Sequence, residues 1–258
     1  TEDGFLVTFG TGSHIAREDA NSRDIQSIYT IWDRGELNPA TALPNSKSVR
    51  LVEQVMTNVV DDSLSPPQTR RILTSNAVPY VSEGSTPGIY GWYIDLDLPR
   101  ATNTISGAPN PDASGLAPPD PQFPGEKAIR RMIYRDGTMI AATVLPSIGA
   151  TSCFGSRPGS ILLFDVLTGG NPVRALVDFN NDGYVDDDDL VDVAGDAYSA
   201  GILFDQDALD GSLVDPSILG GEGDTDFLFI SGGNETTSYR ILDVNDNRTG
   251  RLSWQELD

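Results

Sequence analysis

The sequence predicts an all-β fold, a partial β-propeller with long loop insertions, and three observations carry that expectation. Short apolar runs rich in β-branched and aromatic residues recur in pairs, and the second run of each pair ends in Asp. Gly (26) and Pro (17) are frequent between the runs, as many short strands joined by turns require. The 258 residues form enough chain to bury a sizeable core, and they are read as one domain spanning 1–258.

The elements follow in order. Phe5-Leu-Val-Thr-Phe-Gly-Thr-Gly12 precedes Ser27-Ile-Tyr-Thr-Ile-Trp-Asp33, and the polar segment from Ala16 to Gln26 between them suits a short helix near Glu18-Asp19. Gly91-Trp-Tyr-Ile-Asp95 has a weaker first partner, Arg71-Ile-Leu. Residues 97–127 hold seven prolines among Ala, Gly, Asn and Asp, which reads as a long surface loop. Met139-Ile-Ala-Ala-Thr-Val-Leu145 precedes Ser160-Ile-Leu-Leu-Phe-Asp165 and the turn Thr168-Gly-Gly170. Asp226-Phe-Leu-Phe-Ile-Ser-Gly-Gly233 precedes Tyr239-Arg-Ile-Leu-Asp243. Hairpins repeated along a chain favour propeller blades, although a sandwich would give similar strands. The terminal Asp residues at 33, 95, 165 and 243 are spaced wider than the roughly 40–50 residues of compact blades, hence the loop insertions.

Charge narrows the function. Lys+Arg is 17 against Asp+Glu 38, a net charge of -21, which repels nucleic acid and anionic lipid and favours bound cations. A lone cysteine, Cys153, allows no disulfide within the chain. No run of about 18 apolar residues marks a membrane span. Strand-like sequence follows Thr1 almost at once, so the expectation is a piece of a longer or processed protein with its export signal upstream. The single histidine, His14, excludes most His-based triads and zinc sites, and it reads as a loop residue. The nearby Gly10-Thr-Gly12 lacks a third spaced Gly and a following helix, so it is no phosphate cradle. No catalytic assignment survives, and the expectation is a protein that is not an enzyme.

The strongest motif is Asp178-Phe-Asn-Asn-Asp-Gly-Tyr-Val-Asp-Asp-Asp-Asp189, which fits an EF-hand loop position by position. Oxygen ligands fall at Asp178, Asn180 and Asp182, Gly183 permits the sharp turn, and Tyr184 offers its carbonyl. Asp186 stands at the ninth position and Asp189 at the twelfth. Ca2+ is a hard cation that takes six to eight oxygens, and alternate side chains on a coiled loop can converge on it. Asp at the twelfth position reaches less far than the usual Glu. The loop therefore either closes on Asp186 as a nine-residue version or takes one oxygen of Asp189. A weaker second candidate, from Asn245 to Glu256, would use Asn245, Asn247, Thr249, Arg251 and Glu256, and it reads better as an Asx-rich hairpin turn. The two loops start at 178 and 245, with strand-like sequence between them, which speaks for a loop grafted on a β fold and against paired helical repeats.

Several phrases then occur in a shared order: Val7-Thr-Phe-Gly-Thr-Gly12, Gln26-Ser-Ile-Tyr-Thr-Ile-Trp-Asp33, Gly91-Trp-Tyr-Ile-Asp95, Thr143-Val-Leu-Pro146 before Cys153, Leu163-Phe-Asp165 with Thr168-Gly-Gly170, the calcium loop, and Gly250-Arg-Leu-Ser-Trp-Gln-Glu-Leu257. This series resembles the C-terminal region of the PilY family, large bacterial proteins associated with type IV pilus tips. The resemblance implies a modified β-propeller with a calcium loop held by Asp178, Asn180, Asp182, Tyr184 and Asp186. It also implies a place outside the cell at the pilus tip, with roles in pilus biogenesis, surface adhesion and twitching motility. The implied partners are minor pilins, the remaining blades of the propeller, and a host or abiotic surface. The Pro-rich insertion departs from the family pattern, and the chain covers only the last part of the family's propeller. A secreted calcium-dependent propeller enzyme (a glycan hydrolase or quinoprotein-like) and a generic cell-surface binding module remain the alternatives.

Overall fold

Strands in this chain alternate side chains between two apolar surroundings, because the largest sheet is covered on both faces. The computed structural model describes residues 4–15, 18–19, 22, 24–35, 47–81, 88–96, 125–146, 156–204, 213–220, 226–232 and 235–242. Along the chain, β1 (Phe5–Gly10), β2 (Ser27–Asp33), helix α1 (Lys47–Arg50), β3 (Val52–Gln54), β4 (Met56–Asp61), β5 (Gln68–Leu73) and β6 (Gly91–Asp95) come first. They are followed by β7 (Ile133–Arg135), β8 (Thr138–Pro146), β9 (Ser156–Asp165), β10 (Val191–Val193), β11 (Asp196–Tyr198), β12 (Gly201–Leu203), β13 (Ser217–Gly220), β14 (Asp226–Gly232) and β15 (Glu235–Ile241).

Three sheets stack face to face. The middle sheet has six strands in the order β4-β5-β12-β9-β8-β7. Its Ile140, Ala142, Ile161, Leu163 and Ile202 meet Leu228, Ile230, Tyr239 and Ile241 of the three-stranded sheet β13-β14-β15. The alternate residues Met139, Ala141, Leu162 and Phe164, with Met56 and Leu73, meet Ile28, Trp92 and Ile94 of the four-stranded sheet β1-β2-β6-β3. The period of two in a strand explains this division: neighbours along β8 and β9 point to opposite cores. β14 shows the outer version, with every second residue from Asp226 to Gly232 buried. No sheet closes on itself among the described residues, and the stacked sheets fit a partial propeller.

Three predicted hairpins are present: β1 with β2, β8 with β9, and β14 with β15. The pairing expected between Gly91–Asp95 and Arg71-Ile-Leu is not. β6 lies antiparallel to β2 and parallel to β3, whereas Arg71, Ile72 and Leu73 belong to β5, between β4 and β12. The reason is electrostatic: Arg70 and Arg71 are each 1% exposed and need acids, which Asp61 of β4 and Glu126 beside the middle sheet supply. Glu126, from the end of the Pro-rich stretch, lies in the core rather than on the surface, and the next residue, Lys127, bridges to Val144. Near Glu18-Asp19 a helical turn forms, with the Ser22 N–H donating to the Glu18 carbonyl at 3.1 Å. Residues 97–124, Cys153 and the second candidate loop at 245–256 lie outside the described residues.

Two details fix the packing around the middle sheet. The β8/β9 ladder is irregular between Ala142 and Val144, and Thr143 there accepts from the Ser160 N–H at 2.8 Å through its hydroxyl. Trp92 is fully buried, stands edge-on to Phe164 with ring centroids 5.3 Å apart, and donates its indole N–H to the Val166 carbonyl at 3.1 Å. The chain passes the indole at Gly169, whose φ is +72° and where a Cβ would strike the ring.

Candidate functional site

The loop from Asp178 to Asp189 leaves one sheet and feeds another. Its start is tied to β15, because the Asp178 N–H donates to the Arg240 carbonyl at 2.9 Å and Val177 bridges to Ile241. Its end runs through a single 3-10 turn, Asp187–Asp189, into the β10/β11 hairpin and then β12. Phe179 anchors the loop inward: it is 5% exposed and stands edge-on to Tyr239 with centroids 5.3 Å apart.

The loop coils because its acids and amides collect backbone N–H groups. Asp178 accepts from Asn181 N at 2.6 Å through Oδ1 and from Gly183 N at 3.0 Å through Oδ2. Asn180 Oδ1 accepts from Asp182 N at 2.9 Å, and Asp182 Oδ1 accepts from Tyr184 N at 2.8 Å. Such Asx turns hold the chain in a tight spiral. Asn181 (φ +65°) and Gly183 (φ +95°) take the left-handed conformations the spiral needs, and Gly183 adopts its own without strain. The amide of Asn180 also reaches Asp182 Oδ2 at 3.3 Å, so the third and fifth side chains share one side of the turn. Tyr184 turns its ring outward, 69% exposed, which leaves only its carbonyl to serve the loop.

Asp189 closes the spiral. Its Oδ1 accepts from Phe179 N at 2.8 Å and Asn180 N at 3.3 Å, while Oδ2 accepts from Asp186 N at 3.1 Å. Asp186 in turn accepts from Asp188 N at 3.0 Å, a reciprocal cap on the 3-10 turn. Burial, opposed by the three backbone N–H groups, pushes the Asp189 carboxyl above the usual carboxylate range, with the Asp178 charge adding to the rise.

The donor set suits a hard cation, since every side-chain donor is oxygen. Among the described residues no three Asp, Glu, His or Cys groups come together as a metal cage, and the loop's further oxygens are the Asn180 amide oxygen and the Tyr184 carbonyl. Asp178 is 1% exposed and Asp189 2%, and among the described residues neither takes part in an ion pair. Buried carboxylates are ordinarily paired or bound to metal, and each Asp178 oxygen accepts one N–H and keeps a second lone pair, whereas Asp189 Oδ1 already accepts two. The residues present therefore fit calcium.

Sequence reasoning missed Arg70. Its guanidinium lies 4.1 Å over the Phe179 ring and donates to the Asp189 carbonyl at 3.3 Å. Two adjacent arginines inside an otherwise strand-like run were the available signal.

No family model matches the chain. It is 26% identical over 167 residues to a "Type IV pilus biogenesis factor PilY1 homolog" of Xylella fastidiosa, covering 65% of this chain and 9% of that protein. It is 25% identical over 192 residues to "Type IV pilus biogenesis factor PilY1" of Pseudomonas aeruginosa, covering 72% of this chain and 14% of that protein. The crystal structure of the P. aeruginosa PilY1 C-terminal domain superposes with a TM-score of 0.63 at 20% identity, over 93% of this chain and 42% of that one. The chain thus spans well under a fifth of the length of these curated relatives.

Proposed function

We propose that this chain, similar in sequence and fold to the C-terminal region of the PilY1 proteins, is a calcium-binding part of a type IV pilus biogenesis factor. One observation carries the calcium reading: Asp178, buried and, among the described residues, without a cationic side-chain partner, heads a spiral of oxygen donors turned by Gly183. Asp178, Asn180, Asp182, the Tyr184 carbonyl and Asp186 hold the ion, and Asp189 serves as the clamp that shapes the loop. Two positive charges placed there neutralise carboxylates that otherwise repel each other. Binding tightens the turns between the ends of the loop and so fixes the neighbouring strands after Asp165 and before Ile202.

In the same reading the domain sits outside the cell at the pilus tip. It works with minor pilins and with further blades of the propeller, and it supports surface adhesion and twitching motility. The net charge of -21 is in keeping with a surface that meets cations rather than nucleic acid. No residue is assigned a catalytic role.

Isothermal titration with calcium, paired with thermal melts, tests the reading. Wild type is expected to release or absorb heat on titration and to melt higher with calcium than with chelator. Asp178→Ala combined with Asp182→Ala is expected to melt at one temperature in both conditions. A wild-type melt indifferent to calcium would sink it.

A further inference from the structure

Resting on that calcium reading, we propose that Arg70 is a positioning residue for the ion, holding both ends of the 178–189 loop in the shape that binds. The guanidinium is 1% exposed and spends its donors on four acceptors in three separate segments. Nη1 meets Asp61 Oδ2 at 3.1 Å and Nε meets the Gly201 carbonyl at 3.2 Å. Nη2 meets the carbonyls of Ala200 at 3.0 Å and Asp189 at 3.3 Å. Its flat face covers the Phe179 ring at 4.1 Å. Phe179 is the second residue of the loop and Asp189 the twelfth, so one planar cation on β5 touches the loop where it begins and where it ends. Ala200 and Gly201 connect the same group to β12.

Burying a charge here is expensive, and burial lowers the proton affinity of Arg70 despite Asp61. An apolar side chain would fill the space more cheaply. What it could not do is stack on a ring and donate in a fork to carbonyls on either side of it, and lysine cannot either. With the loop ends held, the cost of ordering them is met in folding and not in binding, which tightens affinity.

The experiment compares wild type, Arg70→Lys, Phe179→Leu and Phe164→Leu by calcium titration and by hydrogen exchange of 178–190 in chelator. Phe164 lies in the other core, away from the loop, and serves as a control for lost stability. Arg70→Lys is expected to weaken calcium affinity by about fivefold or more through loss of the held loop ends, and to speed exchange in the loop. Phe164→Leu should leave both unchanged. Affinity of Arg70→Lys within twofold of wild type overturns the proposal while leaving calcium binding intact. If Arg70→Lys does not fold, Phe179→Leu decides by the same twofold criterion. If wild type itself gives no heat, the calcium reading fails, and the exchange data still judge the clamp: equal loop exchange in Arg70→Lys and wild type overturns it.

Discussion

Glu126→Gln should be among the most damaging single substitutions in this domain. Glu126 and Arg71 are each 1% exposed, and both carboxylate oxygens accept from Arg71 Nη1, at 2.6 and 2.8 Å. Oε1 also accepts from the hydroxyls of Thr143 and Ser160, which are fully buried. Gln keeps the shape and one carbonyl oxygen for those hydroxyls, so what is lost is the negative charge beside a buried guanidinium. Removing one partner of a buried pair costs about 3–5 kcal/mol. Against a total stability of about 5–15 kcal/mol that is a large share. In a chain of this size it corresponds to a fall in melting temperature of roughly 10 °C. The double variant Arg71→Met with Glu126→Leu should recover most of the loss, since well-packed apolar replacements of buried pairs are often neutral. Urea and thermal denaturation of the three proteins at fixed calcium provide the measurement. A Glu126→Gln midpoint within about 2 °C of wild type would show that the pair contributes little, and that the return of the chain at 125–127 is held by other contacts.

Further outcomes follow from other contacts. Gly169→Ala forces a methyl into the Trp92 ring at a φ of +72°, and a loss of at least about 2 kcal/mol is expected in chemical denaturation. Tyr184→Ala should leave calcium affinity unchanged in titration, because the side chain is exposed and only the carbonyl serves the loop. Tyr93, 4% exposed, has its phenol pushed up to about 12 by burial and by the charges of Glu53 and Asp95. A raised folded-state pKa gives stability that is complete below the unfolded value near 10 and is lost as pH climbs through about 12. Stability measured between these limits should therefore decline, and Tyr93→Phe should flatten the decline. Asp189→Ala frees three backbone N–H groups at once and should lower the calcium-free melt by about 1–3 kcal/mol.

Legibility of this chain divides along physical lines. The strands that form local hairpins, β1/β2 and β8/β9, stood out because β-branched and aromatic residues crowd a few consecutive positions and turns bound them. β14 stood out for the same reason. The spiral at 178–189 was legible because its conformation follows from its own Asx residues and Gly183. β5 was legible only in Arg71-Ile-Leu and not in its pairing, since Gln68-Thr-Arg-Arg looks solvated until Asp61 and Glu126 arrive, one of them 55 positions away from Arg71. β12 was invisible because three residues carry no period, and the parallel partnership of β3 with β6 leaves no local trace. Arg70's grip on the loop spans 119 positions and depends wholly on tertiary contact.

The order of strands in the middle sheet bears on how the chain assembles. β12 sits between β5 and β9, although it is made after both, and its only span is Gly201–Leu203. The hairpin β4/β5 and the meander β7-β8-β9 can each form as local units while the chain is being made, but they remain separate halves until this short keystone slots between them. Gly201 suits the slot, because a Cβ there would meet the Ile161 carbonyl of β9. Completion of the sheet is thus a late event with long loops to close, and a chain held short of residue 203 keeps two open hydrogen-bonding edges facing each other across an empty lane.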